Sequence, residues 1–280
     1  MAGVTQWRHD GAVELPTHAP KPWRLPLKSV NHEPGPWVYR FIVLRLARMV
    51  VPLVASRHWA GQERIPRTGG VLVVANHISN FDPIVLGEYL IWAGRWPRYL
   101  GKSDIWRVPV LGWVARQCDQ IPVYRNSERA KDSLIHARRA LKQGKLVAMY
   151  PEGTITGDPE GWPMNPRTGA ARIALETGVP VIPVGQLGAD RILGGKRIEL
   201  RRILSLRRRP VHVLAGDPVD LDRFRTGDEP DKVTLEAASV AIMDAVTALV
   251  EQLRGETAPL DRWELRVGGR VPQRRGEAPG

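Results

Sequence analysis

The sequence predicts a layered α/β domain, and three features carry that reading. From about Gly61 onward, short apolar runs rich in β-branched residues alternate with stretches of helical periodicity. Two of those stretches stop at a glycine, Gly144 and Gly255, as helices commonly do. The 280 residues, 43% hydrophobic and 25% charged, match globular averages and are enough to bury a substantial core.

Taken in order, residues 1–36 carry prolines at 16, 20, 22, 26, 34 and 36, which predict an extended or mobile segment. From Trp37 to Ala55 the chain turns apolar, WVYRFIVLRLARMVVPLVA. At about 100° per residue, Arg40, Arg45 and Arg48 fall within an arc of roughly 140°, and the remaining face is almost wholly apolar. Pro52 predicts a kink, and the arginines interrupt any clean span. The pattern is that of an amphipathic helix over 37–60, lying among headgroups with its guanidinium groups on lipid phosphates. A core-facing helix with solvated arginines is the alternative. Candidate strands follow at Val71–Ala75, Arg98–Gly101, Gln120–Tyr124, Leu146–Tyr150, Val181–Val184, Ile198–Ile203 and Val211–Ala215. Between them, residues 127–143 read as a helix with Ala130, Leu134, Ala137 and Leu141 on one stripe. A second helix runs from about Asp231 to Arg254, with Leu235, Ala238, Ile242, Ala245 and Leu249 on one face. The basic tail, 255–280, has too few apolar residues to fold alone and is expected to be flexible.

Charge and composition narrow the function. Lys plus Arg is 41 and Asp plus Glu is 29, a formal +12, so anionic partners are expected. The single cysteine, Cys118, excludes an internal disulfide framework and a multi-cysteine metal site. No uninterrupted apolar run reaches about 18 residues, which argues against a multi-span membrane protein. The opening MAGVTQWRHDG has no apolar signal core, so export is not expected. A basic cytoplasmic protein that touches membranes is the expectation. The basic residues are scattered or terminal and no recognition motif is present, so nucleic acid is not an expected partner.

Four segments hold the chemistry. Val71–Ala75 runs into Asn76-His77-Ile78-Ser79-Asn80-Phe81-Asp82-Pro83, a polar knot at a strand end, where α/β sheets usually bind ligands. A turn brings His77 to Asp82, with Asp82-Pro83 suited to starting a helix. In the bland reading Asp82 only caps and His77 only hydrogen-bonds. In the functional one Asp82 fixes the tautomer and leaves the other ring nitrogen as a general base. Lys102, at the next strand end, is placed to meet an anion or is simply a solvated lysine. Tyr150-Pro151-Glu152-Gly153-Thr154-Ile155-Thr156 follows an apolar strand, and Gly153 would let backbone amides approach a phosphate, unless it is an ordinary turn. Val179-Pro180-Val181-Ile182-Pro183-Val184 says only core strand.

Together and in this order, the four segments resemble the glycerolipid acyltransferase family, in particular bacterial 1-acylglycerol-3-phosphate acyltransferases. The Asn-His-x4-Asp motif matches Asn76, His77 and Asp82. The Lys-x-acidic motif leading to Pro and Gly matches Lys102, Asp104, Pro109 and Gly112. Aromatic-Pro-Glu-Gly-Thr matches Tyr150 to Thr154, and Val-Pro-Val-Ile-Pro matches Val179 to Pro183. The resemblance covers roughly residues 60–220 and implies a mixed central sheet flanked by helices, with an acyltransferase domain over 61–254. It implies His77 and Asp82 as catalytic residues, and Lys102, Glu152, Gly153 and Thr154 as substrate-binding ones. One departure stands out: many members carry Arg after Glu-Gly-Thr as a phosphate ligand, and here that position is Ile155. Arg125, Arg167 and Arg172 are the candidate replacements, and the gap leaves other lysophospholipid acceptors open.

The implied reaction moves an acyl group from acyl-coenzyme A or acyl carrier protein to the free hydroxyl of 1-acylglycerol-3-phosphate, giving phosphatidic acid, with no cofactor and no metal. Another lysophospholipid or glycerol-3-phosphate is the alternative acceptor. The basic run Arg201, Arg202, Arg207, Arg208 and Arg209 would attract either donor, and also a phospholipid membrane surface. The implied location is the cytoplasmic face of a bacterial membrane, as a peripheral or monotopic protein. An acyl-enzyme on Cys118 is disfavoured, since direct transfer needs no nucleophile and a cysteine beside Val114 and Ala115 reads as core. A non-catalytic membrane module would leave the four polar segments without purpose, and a hydrolase with the same His-Asp pair is a mechanistic neighbour.

Overall fold

The computed structural model describes residues 24–124, 130–204, 207–225 and 229–272. A short helix α1 (Leu27–Val30) and a π-helical turn (Tyr39–Val43) lead into α2 (Leu44–Val54), β1 (Ala55–Ala60) and β2 (Val71–Ala75). Next come α3 (Asp82–Trp92), β3 (Pro97–Lys102), α4 (Pro109–Gln117), β4 (Ile121–Val123), α5 (Ala130–Lys142) and β5 (Leu146–Met149). Then follow α6 (Gly169–Thr177), β6 (Val181–Leu187), α7 (Asp190–Leu193), α8 (Leu200–Leu204) and β7 (Arg209–Ala215). The chain ends with α9 (Lys232–Arg254) and a hairpin of β8 (Arg262–Glu264) and β9 (Gly269–Val271).

Seven strands form one sheet in the order β1-β7-β6-β2-β5-β3-β4. β6, β2, β5, β3 and β4 run parallel, while β7 is antiparallel to β6 and carries β1 parallel to itself. The sheet is therefore mixed and flanked by helices, as the resemblance implies. β2 reads Val-Leu-Val-Val-Ala with every residue buried, because both faces are covered. Val71, Val73 and Ala75 face a core completed by Val85, Leu86, Tyr89 and Leu90 of α3. Leu72 and Val74 face the opposite core with Ala137, Ile173, Ile242 and Val246 from α5, α6 and α9. Each such aliphatic side chain contributes about 1.5–3 kcal/mol when fully buried. α9 starts where Asp231 Oδ1 accepts the Thr234 N–H at 2.7 Å, and it stops at Gly255, φ 67°. Its length and composition would suffice to cross a membrane, but Leu235, Ala238, Ile242, Val246 and Val250 are buried in the protein core.

Four expectations change. The helix predicted over 37–60 runs through Pro52 but ends at Val54, and Ala55–Ala60 is a sheet strand. β1 looks too polar for that role, yet Arg57 is matched by a buried bidentate pair with Glu88, at 2.9 and 2.6 Å. Ile198–Ile203, predicted as a strand, instead lies partly in α8. Residues 24–36, expected to be extended or mobile, carry the short helix α1 and pack on the domain: Glu33 accepts from the Arg95 Nε–H and Trp96 N–H, and the Trp96 indole donates to the Glu33 carbonyl at 2.8 Å. Gly35 is required there, since a Cβ would lie 2.2 Å from the Trp96 ring. The tail, expected to be flexible, forms a hairpin packed on the domain through residue 271. Buried Arg262 donates to Asp244 and Thr247 of α9, and Arg270 pairs with Asp158 and Glu160. Residues 1–23 and 273–280 lie outside the described residues.

Candidate active site

The C-terminal end of β2 is locked to β6 before the site begins. Asn76 Oδ1 accepts the Gln186 N–H at 2.7 Å, Nδ2 donates to the Gln186 carbonyl, and Gln186 Nε2 donates back to the Asn76 carbonyl. Beyond this clamp the chain turns, and Asp82 folds back under it. One oxygen, Oδ2, accepts three hydrogen bonds: His77 Nδ1 at 2.8 Å, Ile78 N–H at 2.6 Å and Ser79 N–H at 2.8 Å. Asp82 is fully buried at the first residue of α3, with the positive end of the helix behind it. It does not cap α3 through N2 or N3. Its donors precede the helix, so the carboxylate serves the turn and the histidine together. Ser79 Oγ closes the turn by donating to the Gly194 carbonyl at 2.6 Å.

This arrangement places the imidazole proton on Nδ1 and leaves Nε2 as the basic nitrogen. Nε2 has no hydrogen-bond partner among the described residues, and the side chain is 16% exposed. The ring stacks on Tyr150, centroids 4.1 Å apart at 12°, and Tyr99 continues the stack behind Tyr150 at 6.3 Å. The main chain of His77 is held as firmly as the ring. Its N–H donates to Glu152 Oε1 at 2.9 Å, and its carbonyl accepts the Thr156 N–H at 2.7 Å.

Glu152 therefore points inward. Its other oxygen accepts the Met164 N–H at 3.1 Å, and burial pushes its carboxyl up to about 8. It braces the site and is not turned out toward a substrate. The Gly153 N–H is already engaged with the Tyr150 carbonyl at 2.9 Å, while the Thr154 N–H has no partner among the described residues. Gly153 adopts φ +73°, and a Cβ there would lie 2.8 Å from Arg167 Nε. Glycine thus lets the Arg167 side chain lie directly on the motif loop, with the Arg167 N–H anchored to the Pro151 carbonyl. The Arg167 guanidinium is exposed and forms no ion pair among the described residues.

The other candidates are placed differently. Arg172 faces Glu176 and Glu229, at 3.7 and 3.8 Å, so its charge is partly answered on α6. Lys102 is exposed at the end of β3 and pairs with Asp104. Pro109 opens α4, and Gly112 lets that helix touch the Trp106 backbone, where a Cβ would be 2.4 Å from the carbonyl oxygen. Arg125 lies outside the described residues. Cys118 is buried and its thiol is pushed up to about 12, chiefly by burial. Gln186 and Tyr99 had no motif to mark them; the signal was only that polar and aromatic residues end strands beside the His77 turn. Asp190 is a further buried acid, its carboxyl raised by burial and by the charge of Asp82.

A histidine oriented by a buried aspartate at a parallel strand end, with its second nitrogen open, has the geometry a general base requires. Residues 56–186, just under half of the chain, match the model of the Acyltransferase family. A chloroplastic protein of Brassica napus named as a 1-acyl-sn-glycerol-3-phosphate acyltransferase is 32% identical over 48% of this chain and 38% of its own length. A Mycoplasma pneumoniae protein named as a probable enzyme of that type is 26% identical over 68% of this chain and 70% of its own. The chain thus spans less than half the length of the plant relative. The crystal structure of the 1-acyl-sn-glycerophosphate acyltransferase PlsC of Thermotoga maritima superposes with a TM-score of 0.57. That superposition covers 79% of this chain and 83% of that one at 23% identity, which speaks for the fold.

Proposed function

We propose that this protein transfers a fatty acyl group from an acyl thioester to the free hydroxyl of 1-acylglycerol-3-phosphate, giving phosphatidic acid. The observation that carries the reading is His77 Nδ1 held at 2.8 Å by buried Asp82, with Nε2 open. Nε2 takes the proton of the acceptor hydroxyl as its oxygen attacks the thioester carbonyl. The tetrahedral intermediate collapses with loss of the thiolate, which takes the proton from the imidazolium. Asp82 stabilises that cation. General-base assistance of this kind contributes about 10²–10⁴ in rate, and positioning supplies much of the rest. The Thr154 N–H is the amide best placed to meet the developing oxyanion, because that of Gly153 is engaged.

With Ile155 where many relatives hold arginine, the acceptor phosphate falls to Arg167, supported by Lys102 once an anion competes with Asp104. No cofactor or metal enters this mechanism. Acyl-coenzyme A and acyl carrier protein both fit as donors, and the arginine-rich region at 201–209 suits either. The protein acts at the cytoplasmic membrane face, with the exposed apolar residues and arginines of 37–54 on phospholipid. Incubation with labelled acyl-coenzyme A and lysophosphatidate, read by mass spectrometry, tests the reaction. Label in phosphatidic acid supports it; label only in free fatty acid shows a hydrolase. Transfer confined to another lysophospholipid would move the acceptor, as Ile155 allows.

A further inference from the structure

α4 takes no direct part in holding His77, yet it exposes a cluster of large apolar side chains. Val110 is 76% exposed, and Leu111, Trp113 and the preceding Val108 are exposed with it. Scattered exposed apolar residues need no explanation, but a contiguous cluster marks an interaction surface. The cluster also continues into another element. Trp113 meets Trp37 edge-on, centroids 6.2 Å apart at 73°, so α4 adjoins the segment that leads into α2. There Phe41 and Met49, 69% exposed, face outward, although Leu44 and Val51 of the same helix are buried.

The composition of the two elements says what they meet. Neither 37–55 nor 105–117 contains an acidic residue. Arg40, Arg45 and Arg48 fringe the first, and Arg107 and Arg116 fringe the second. Arg45 lies over the Phe41 ring at 5.7 Å, so the charge and the apolar face share one surface. Arg107 is paired with Asp104 at 3.6 Å. The apolar patch with its paired tryptophans is otherwise fringed by Arg40, Arg45, Arg48 and Arg116, which suits the interface of an anionic bilayer. We propose that α4 is a second membrane-contacting limb, which joins the 37–54 helix through Trp37 and Trp113 to seat the protein on anionic phospholipid. This rests on the membrane reading of 37–54 under the proposed function. It adds that the second limb follows directly from the Lys102–Arg107 turn, so the bilayer lies beside the lysine placed to meet a phosphate.

The test uses the full chain with an environment-sensitive thiol-reactive fluorophore at Val110→Cys. Cys118 is 2% exposed with its thiol raised, so it does not compete for label. Leu46→Cys on α2 and Val233→Cys on the outer face of α9 are labelled in parallel, both positions being exposed. On adding phosphatidylglycerol–phosphatidylcholine vesicles, the probes at 110 and 46 shift to the blue and the probe at 233 does not. A shift at 46 without one at 110 would overturn the second limb alone. A shift at neither would remove the membrane reading of 37–54 as well. Blue emission at 110 before vesicles are added would mean the face is covered by another protein segment, and would also overturn the proposal. Independently, Val110→Glu combined with Leu111→Glu weakens vesicle partitioning about tenfold while transfer between short-chain soluble substrates continues. Unchanged partitioning with lost soluble-substrate transfer would assign α4 to an acyl-chain pocket instead.

Discussion

Asp82 Oδ2 accepts three hydrogen bonds, two from backbone and one from the His77 ring. This gives Asp82→Asn a clear expectation. An amide can present its oxygen to the same three donors, but it then buries its NH2 where Asp82 Oδ1 has no partner, and it carries no negative charge. The neutral amide no longer stabilises the imidazolium, and transfer falls by about 10²–10⁴, read as kcat with the fold checked by circular dichroism. Glu152 gives a second residue-scale prediction, in pH. Its carboxyl is raised from 4.5 to about 8 by burial, so the folded state binds its proton more tightly than the unfolded chain does. The stabilisation this provides is complete below about 4.5 and is lost as pH rises through about 8. Glu152→Gln removes the titration. Urea unfolding of the parent should weaken relative to the variant between those pH values, and parallel curves would contradict the assignment. His77, Asp82 and Glu152 were legible in the sequence because they belong to ordered motifs. The direction of Glu152 was not, since its two donors are the backbone amides of His77 and Met164, one of them far along the chain.

At the scale of elements, the sequence showed clearly what apolar periodicity determines and little of what paired charges determine. β2, β5 and α9 fall where hydrophobic pattern and caps place them. β1 was hidden because Arg57 breaks its pattern and the answering Glu88 lies on α3. The β8–β9 hairpin was hidden in the same way, since Arg262 and Arg270 hold it through carboxylates on α9 and on the 156–165 loop. Ile198–Ile203 alternates apolar and polar residues, but Leu200–Leu204 forms helix, so two-residue alternation over so short a run did not decide. The hairpin has a consequence for the site. The Trp263 carbonyl accepts the Asn165 N–H at 3.1 Å, next to the Met164 amide that holds Glu152. Arg262→Ala should therefore destabilise the protein by about 1–3 kcal/mol. It should also raise amide exchange in 156–165; exchange confined to 262–271 would show that the hairpin does not brace the loop.

Across the whole molecule, one end of the sheet gathers the functional features. His77 follows β2, Lys102 ends β3, the Glu152 loop follows β5, and Gln186 lies near the end of β6. The formal charge of +12 and the exposed apolar residues around Trp37 and Trp113 suit a chain that meets its substrate at a lipid surface. Vesicle binding should accordingly weaken with added salt in the 0.1–0.5 M range, as screening shortens the reach of the arginines, while an apolar remainder persists. Salt-independent binding would make the arginines incidental.

The central claim is that His77 Nε2 is the base for acyl transfer. Its most direct test compares the parent with His77→Ala in single-turnover transfer from a labelled acyl thioester to 1-acylglycerol-3-phosphate. Phosphatidic acid from the parent, with the variant slower by at least about 10², is the predicted result. Equal rates from the two folded proteins would contradict it.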